Sequence, residues 1–220
     1  MKGDLRKRLL LYVVVDRAFA AGRGEEEIVV AAARGGATAV QLRSKELTAR
    51  QLYLTGLSLR RLTRELGLLF IVNDRVDVAL AVDADGVHLG QDDLPLEAAR
   101  RLMGRRRIIG ISVDTVEEAE RAQRGGADYL GAGPVFATSS KADAGPVMGP
   151  EGLREICRVV RIPVVGIGGV NAQNARRVVE AGAAGVAVIS AVVSAPDVTA
   201  ATAALRAALR AVPGTRAGPG

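Results

Sequence analysis

Along its whole length the chain alternates short apolar runs with longer stretches in which apolar residues recur every three or four positions. The short runs, rich in Val, Ile and Leu, fall at residues 10–15, 37–42, 68–72, 86–89, 107–111, 128–131, 163–167 and 185–189. Helical periodicity fills the intervals at about 25–34, 48–66, 76–82, 95–103, 115–124, 151–160 and 172–180, with a last stretch near 198–211. Strict alternation with short connections predicts parallel strands covered by helices. An internal echo supports the count. Gly35-Gly36-Ala37-Thr38-Ala39-Val40, Gly125-Gly126-Ala127-Asp128-Tyr129-Leu130 and Gly182-Ala183-Ala184-Gly185-Val186-Ala187 share one form, a helix-ending glycine followed directly by a buried strand, and Val82-Asp83-Ala84-Asp85-Gly86-Val87 is a weaker copy. Eight such units predict an α/β fold, a single (β/α)8 TIM barrel with parallel strands over residues 1–212. An open doubly wound sheet is the competitor, but its first strand normally leads into Gly-x-Gly-x-x-Gly, and here it ends in Val15-Asp16-Arg17. Residues 213–220, Pro-Gly-Thr-Arg-Ala-Gly-Pro-Gly, carry no pattern and are expected to form a disordered tail.

Composition narrows the function classes. Hydrophobic residues make up 49% of the 220, yet aromatics are only 3% and Trp is absent, so aliphatic side chains must fill the core. The formal charge of +6 raises nucleic-acid binding as a class. The arginines, however, are spread over helical faces (Arg60, Arg61, Arg64, Arg100, Arg101, Arg121, Arg124, Arg176, Arg177). The one run, Arg105-Arg106-Arg107, has no aromatics interleaved to stack on bases. The expectation is no nucleic-acid partner, and a surface biased toward anionic substrates. Cys157 is the only cysteine, which excludes an internal disulfide or a cysteine-based metal site. The basic start and apolar run of MKGDLRKRLLLYVVVD end at Asp16 without a cleavage-type sequence, and no segment has the apolar length of a membrane span. A cytoplasmic protein with no membrane partner is expected. Oligomeric state stays open, a homodimer included.

In a barrel, chemistry gathers at the carboxyl ends of the strands. Those positions hold Gln41, Arg43 and Lys45 after strand 2; Asn73, Asp74 and Arg75 after strand 3; and His88, Gln91, Asp92 and Asp93 around the end of strand 4. Ser112 and Asp114 follow strand 5, Gly168-Gly169 follows strand 7, and Ile189-Ser190 ends strand 8. The long loop after strand 6 runs through Gly131, Gly133 and Pro134 to Thr138-Ser139-Ser140-Lys141, a glycine, hydroxyl and lysine composition suited to phosphate or diphosphate. Asp74 and Asp93 could share one Mg²⁺, a hard ion that keeps substrate phosphates in its shell. Arg43, Lys45 and Lys141 could clamp phosphate oxygens, and the glycines after strand 7 with the helix start after strand 8 suit a second, single phosphate. The blander readings are helix caps for Asp74 and Asp93, a solvated Lys141, and a structural hydrogen-bonded role for the lone His88, which is the reading preferred for that residue.

The same segments resemble thiamine-phosphate synthases. They are Gln41-Leu42-Arg43-Ser44-Lys45, Asn73-Asp74-Arg75-Val76-Asp77-Val78-Ala79, Gly86-Val87-His88-Leu89-Gly90-Gln91-Asp92-Asp93-Leu94, Gly131-Ala132-Gly133-Pro134-Val135-Phe136, Pro163-Val164-Val165-Gly166-Ile167-Gly168-Gly169 and Val188-Ile189-Ser190. The resemblance runs from about Leu10 to Ala211. It implies a transferase of thiamine biosynthesis that joins hydroxymethylpyrimidine diphosphate to thiazole phosphate with release of diphosphate. It further implies that Gln41, Leu42, Arg43, Ser44, Lys45, Asn73, Ser112 and Lys141 hold the pyrimidine diphosphate, with Arg43, Lys45, Ser112 and Lys141 acting in catalysis. Thr138, Ser139, Ser140, Gly169, Ile189 and Ser190 would hold the thiazole phosphate, and Asp74 and Asp93 would bind Mg²⁺.

Two departures matter. The family's Thr-x-Thr before the lysine is Thr138-Ser139-Ser140 here, which keeps the hydroxyl and loses a methyl. The loop also resembles that of the thiazole tautomerases, a sister family with a histidine shortly after strand 5; this chain has Asp114 there and keeps Asp74, and both points favour the synthase. A tautomerase on the thiazole phosphate alone and a non-catalytic phosphate or nucleic-acid binder are the alternatives.

Overall fold

In a computed structural model describing residues 4–140 and 145–210, eight parallel strands hydrogen-bond in sequence order and β8 returns to β1, closing a barrel. The strands are β1 (Leu11–Asp16), β2 (Ala39–Arg43), β3 (Leu69–Asn73), β4 (Gly86–Leu89), β5 (Ile108–Val113), β6 (Tyr129–Ala132), β7 (Val164–Gly166) and β8 (Gly185–Val188). Helices α2 (Glu25–Arg34), α3 (Ala49–Glu65), α4 (Val76–Ala81), α5 (Leu96–Met103), α6 (Val116–Arg124), α7 (Gly149–Val159), α8 (Ala175–Glu180) and α10 (Val198–Arg210) surround it, as the alternation predicts. The expected 213–220 tail lies outside the described residues. Two short helices lie outside the predicted helical stretches. One, α9 (Ser190–Val193), is a single turn following β8, at the helix start expected after strand 8, and the other, α1 (Leu5–Arg8), precedes β1. Helix α8 starts three residues late because Asn171 and Asn174 close a side-chain-to-backbone turn first (Asn171 N–H to Asn174 Oδ1, 2.8 Å).

Glycine placement explains how each helix hands over to a strand. Gly36, Gly126 and Gly182 take φ of +96°, +87° and +107°, the left-handed conformation that stops a helix, and Asp83 at +55° fills that position in the weaker copy.

Two apolar layers follow from strand alternation. Val13, Val15, Val40, Leu42, Val87 and Leu89 face outward under the helices, while Tyr12, Val14, Leu69, Ile71, Ile108, Tyr129 and Val165 fill the barrel interior. Helix α1 closes the lower end, with Leu5 and the fully buried Leu9 against the interior layer. Gly110 makes room there, since a Cβ on it would lie 2.1 Å from the Tyr129 ring.

The lower rim carries a repeated clasp. Thr38, Asp85 and Asp128 stand just before the even strands β2, β4 and β6. Each donates its backbone N–H to the strand before it and accepts that strand's N–H on its side chain (Leu11 to Thr38 Oγ1, 2.9 Å; Phe70 to Asp85 Oδ2, 2.8 Å; Ile109 to Asp128 Oδ2, 2.9 Å). Arg60 and Arg100 pair with the two aspartates at 3.1 and 2.6 Å. Much of the arginine that raises the net charge is therefore structural: Arg64 and Arg107 pair with Asp83, and Arg176 with Glu180.

Candidate active site at the upper rim

The strand carboxyl ends surround a cavity of about 710 Å³. Of the residues expected at a site, Gln41, Arg43, Lys45, Asn73, Asp74, Asp93, Ser112, Thr138, Ser139, Ser140, Gly169, Ile189 and Ser190 line it. Leu42 does not; period-2 alternation turns it outward into the layer beneath the helices. Ser44 also stays out of the lining, its Oγ accepting the Glu46 and Leu47 N–H groups to shape the loop ahead of α3. Lys141 lies outside the described residues.

One wall is electrostatic. Arg43 is pinned by an ion pair with Asp16, the last residue of β1, which is 3% exposed. Lys45 Nζ sits 2.9 Å from Asp74 Oδ2, and this contact holds its ammonium above the usual lysine range. Asp74 takes φ +59°, a left-handed conformation with a modest cost for a non-glycine residue. Its carboxylate does not cap α4, whose first turn has no side-chain cap. Asp93 does not cap α5 either; its Oδ2 accepts the Gly90 N–H at 2.7 Å across the turn after β4. Burial first, then the neighbouring Asp74 carboxylate, pushes the Asp93 carboxyl above the usual range, against the lowering effect of the Gly90 N–H and Lys45.

The floor is a row of hydrogen-bonded side chains. Gln41 Nε2 donates to Tyr12 at 2.7 Å, the Tyr12 and Tyr129 hydroxyls are 3.1 Å apart, Tyr129 lies 2.9 Å from His88 Nδ1, and His88 Nε2 lies 3.0 Å from Ser112 Oγ. His88 is thus hydrogen-bonded, as preferred from the sequence, and it also lines the cavity. Burial pushes both phenols well above the usual tyrosine range, so they stay neutral.

The opposite wall presents hydroxyls and glycines. Thr138 Oγ1 accepts the Ser140 N–H at 3.1 Å, and Ser140 Oγ lies 3.0 Å from Ser190 Oγ, joining the loop after β6 to the start of α9. Gly168 and Gly169 have φ of +91° and +63°, and a Cβ on them would approach Pro134 to 2.7 Å and the Ala137 carbonyl oxygen to 2.4 Å. These glycines serve loop packing as well as any ligand. Asp114 lines the cavity, with its Oδ2 facing the space that a Cβ on Gly145 would occupy.

Sequence reasoning passed over Asp16, Tyr12 and Tyr129. Asp16 served to mark the end of the first strand, and the tyrosines lay unremarked inside apolar runs. In the structure Tyr12, Val14 and Asp16 share one face of β1 and register sets Asp16 opposite Arg43, neither of which the sequence alone shows.

Comparison with known proteins agrees with this geometry. The profile of the thiamine monophosphate synthase family matches residues 11–192. A thiamine-phosphate synthase of Roseiflexus sp. (strain RS-1) is 54% identical over 211 residues, covering 96% of this chain and 89% of that relative. The thiamine-phosphate synthase of Moorella thermoacetica is 55% identical over 156 residues, 71% of this chain and 74% of its own. A solved thiamine phosphate pyrophosphorylase from Pyrococcus furiosus superposes with a TM-score of 0.87 at 52% identity, covering 94% of this chain and 98% of that one. A barrel cavity with an Arg43–Lys45 and Asp74–Asp93 wall facing a hydroxyl and glycine wall, together with these similarities, places the chain in the thiamine-phosphate synthase family, whose members are transferases.

Proposed function

We propose that the cavity joins 4-amino-2-methyl-5-(diphosphooxymethyl)pyrimidine to 4-methyl-5-(2-phosphooxyethyl)thiazole, giving thiamine phosphate and diphosphate. The observation that supports the assignment of sites is that one cavity has a wall with Arg43 and Lys45 and another of hydroxyls and glycines, each suited to an anion. Arg43 and Lys45 would hold the diphosphate, with Lys141 from the loop. Gln41, Asn73 and Ser112 would hold the pyrimidine ring, and Thr138, Ser139, Ser140, Gly169, Ile189 and Ser190 the thiazole phosphate.

The residues present fit a Mg²⁺ ion. Burial and then the neighbouring Asp74 carboxylate raise Asp93, and Lys45 already supplies positive charge beside this pair. Among the described residues no group of three or more His, Cys, Asp or Glu converges. Two carboxylates leave most of the shell to diphosphate oxygens and water, the arrangement Mg²⁺ favours. When bound, the ion would neutralise charge on the diphosphate.

The chain's own groups act by position and charge. Arg43, fixed by Asp16, and Lys45 stabilise negative charge as the methylene carbon–oxygen bond breaks and its electron pair leaves with the diphosphate. The pyrimidine amino group supports the resulting methylene cation. The thiazole nitrogen, brought close by its phosphate on the opposite wall, donates its lone pair to form the new carbon–nitrogen bond. No protein nucleophile enters, and no proton must be transferred.

A two-substrate reaction tests this, with thiamine phosphate and diphosphate followed with and without Mg²⁺. Equal amounts of both products, abolished by chelator and by Asp74→Ala, are expected. Thiazole isomerisation without coupling, indifferent to Asp74→Ala, would move the assignment to a tautomerase. No helix of the described residues is long and apolar enough to cross a membrane; a cytoplasmic location belongs to the same proposal.

A further inference from the structure

The row of polar side chains on the cavity floor joins residues from five strands, and its length raises a question of direction. Gln41 is on β2, Tyr12 on β1, Tyr129 on β6, His88 on β4 and Ser112 on β5. Tyr12 is 2% exposed and Tyr129 fully buried, so water has little access to the middle of the row. Each internal member must therefore satisfy its neighbours with the one proton it has.

Direction follows from the end at Gln41. An amide nitrogen only donates, so the Gln41–Tyr12 bond of 2.7 Å makes the Tyr12 oxygen an acceptor there and commits the Tyr12 proton to Tyr129. The Tyr129 proton is then committed to His88 Nδ1. A neutral imidazole that accepts at Nδ1 carries its proton on Nε2, which donates to Ser112 Oγ. Ser112, with one lone pair engaged, keeps its own proton to donate into the cavity. At the opposite end the Gln41 carbonyl oxygen is left as an acceptor. Reversing any one bond reverses them all and exchanges the two ends, giving an amide donor at residue 41 and a hydroxyl acceptor at residue 112.

We infer that this row has one proton direction, and that Tyr12, Tyr129 and His88 are positioning residues that make Gln41 an acceptor and Ser112 a donor toward the pyrimidine. The inference deepens the function proposed above and rests on the pyrimidine occupying this end of the cavity. Its chemical use is specific. An acceptor at Gln41 takes an N–H of the exocyclic amino group, and holding that N–H pushes electron density into the ring, toward the methylene carbon that loses diphosphate. A donor at Ser112 meets a ring nitrogen, which has only a lone pair to offer. The reversed row would set donor against donor and acceptor against acceptor.

His88 is the only histidine, so its tautomer can be read without assignment ambiguity from the ring nitrogens in a nitrogen-15 spectrum of the whole, substrate-free protein. The wild type is expected to show the Nε2–H tautomer at neutral pH. Gln41→Met, which removes the amide at similar volume, and Tyr12→Phe, which cuts the row one bond later, should each release the bias and give a mixture. Ser112→Ala removes only the last acceptor and should leave the Nε2–H form intact. An Nδ1–H tautomer or a charged imidazolium in the wild type overturns the inference, as does a tautomer indifferent to both Gln41→Met and Tyr12→Phe. If one of those two variants fails to fold, the other decides. Kinetics supply the second readout: Tyr12→Phe should lower kcat about tenfold, the worth of one hydrogen bond, with the KM for thiazole phosphate unchanged. A fall in thermal stability with kcat intact would reduce the row to a structural role. Because the spectrum needs no substrate, it can fail while coupling of the two substrates succeeds, or the reverse.

Discussion

Removing the Asp16 carboxylate tests the electrostatic wall most directly. Asp16 is 3% exposed and its ion pair holds Arg43, whose side chain is 16% exposed. Deleting one partner of a buried pair costs about 3–5 kcal/mol, because the other charge stays without compensation. Arg43 opens onto the cavity and keeps some hydration, which sets the expectation at the lower end, about 3 kcal/mol. For a chain of this length that is a fall in Tm of roughly 6–12 °C, and since folded domains hold about 5–15 kcal/mol the variant remains folded. Asp16→Asn removes the charge, and its side-chain oxygen can still accept the Ala18 N–H that Asp16 takes at 3.1 Å; Asp16→Ala loses both and should melt lower still. An unpinned Arg43 forfeits a charge-assisted hydrogen bond to the diphosphate, worth about 1.5–3 kcal/mol, or roughly 10- to 150-fold in kcat/KM for the pyrimidine substrate. The KM for thiazole phosphate should stay put. Thermal melts by circular dichroism and steady-state kinetics with each substrate varied would check both halves. An Asp16→Asn protein that melts and turns over like the wild type would refute the reasoning.

The folded-state carboxyl of Asp93 is raised, so ionising it costs stability, a cost that is absent at low pH and appears as pH rises through its raised value. Asp93→Asn should therefore match the wild type in acid, exceed it in Tm at neutral pH in chelator, and lose Mg²⁺-dependent turnover; superimposable Tm profiles against pH would contradict this. Gly169→Ala puts a methyl 2.4 Å from the Ala137 carbonyl in left-handed backbone, and should raise the KM for thiazole phosphate at least tenfold while leaving pyrimidine binding intact, as titration of each ligand separately would reveal. The Cys157 thiol, pushed by burial to about 11, should react slowly with iodoacetamide at neutral pH without loss of activity; rapid inactivation would place an unrecognised role there.

The barrel was legible because each strand is buried on both faces and each helix on one, so the two hydrophobic periods never blur. That same double burial hid the floor of the site. With apolar residues on both faces of β1, nothing in the sequence says that Tyr12 faces a cavity and Val13 a helix. Its partner Tyr129 lies 117 residues away. The strand-end rule pointed to Arg43, Lys45, Asp74 and Asp93, which line the cavity, because charged residues at or just beyond the end of a buried strand are conspicuous. It could not find Asp16, whose partner emerges only from the β1–β2 register. Helix α1 is four residues long, too short for any periodicity to register.

The clasps of the lower rim are unevenly distributed. Thr38, Asp85 and Asp128 add a side-chain bond to the pairs β1–β2, β3–β4 and β5–β6. The pair β7–β8 has Ala184 in that position, keeps only the backbone half of the motif at 2.7 Å, and shares two registered residue pairs. Amide exchange by local opening should therefore be fastest along this seam. Directly above it stand Gly169 and Ser190, the proposed seat of the thiazole phosphate. A ligand bridging those two loops would fasten the barrel where it is least fastened, so protection gained on binding should concentrate in β7 and β8, with the clasped pairs little changed.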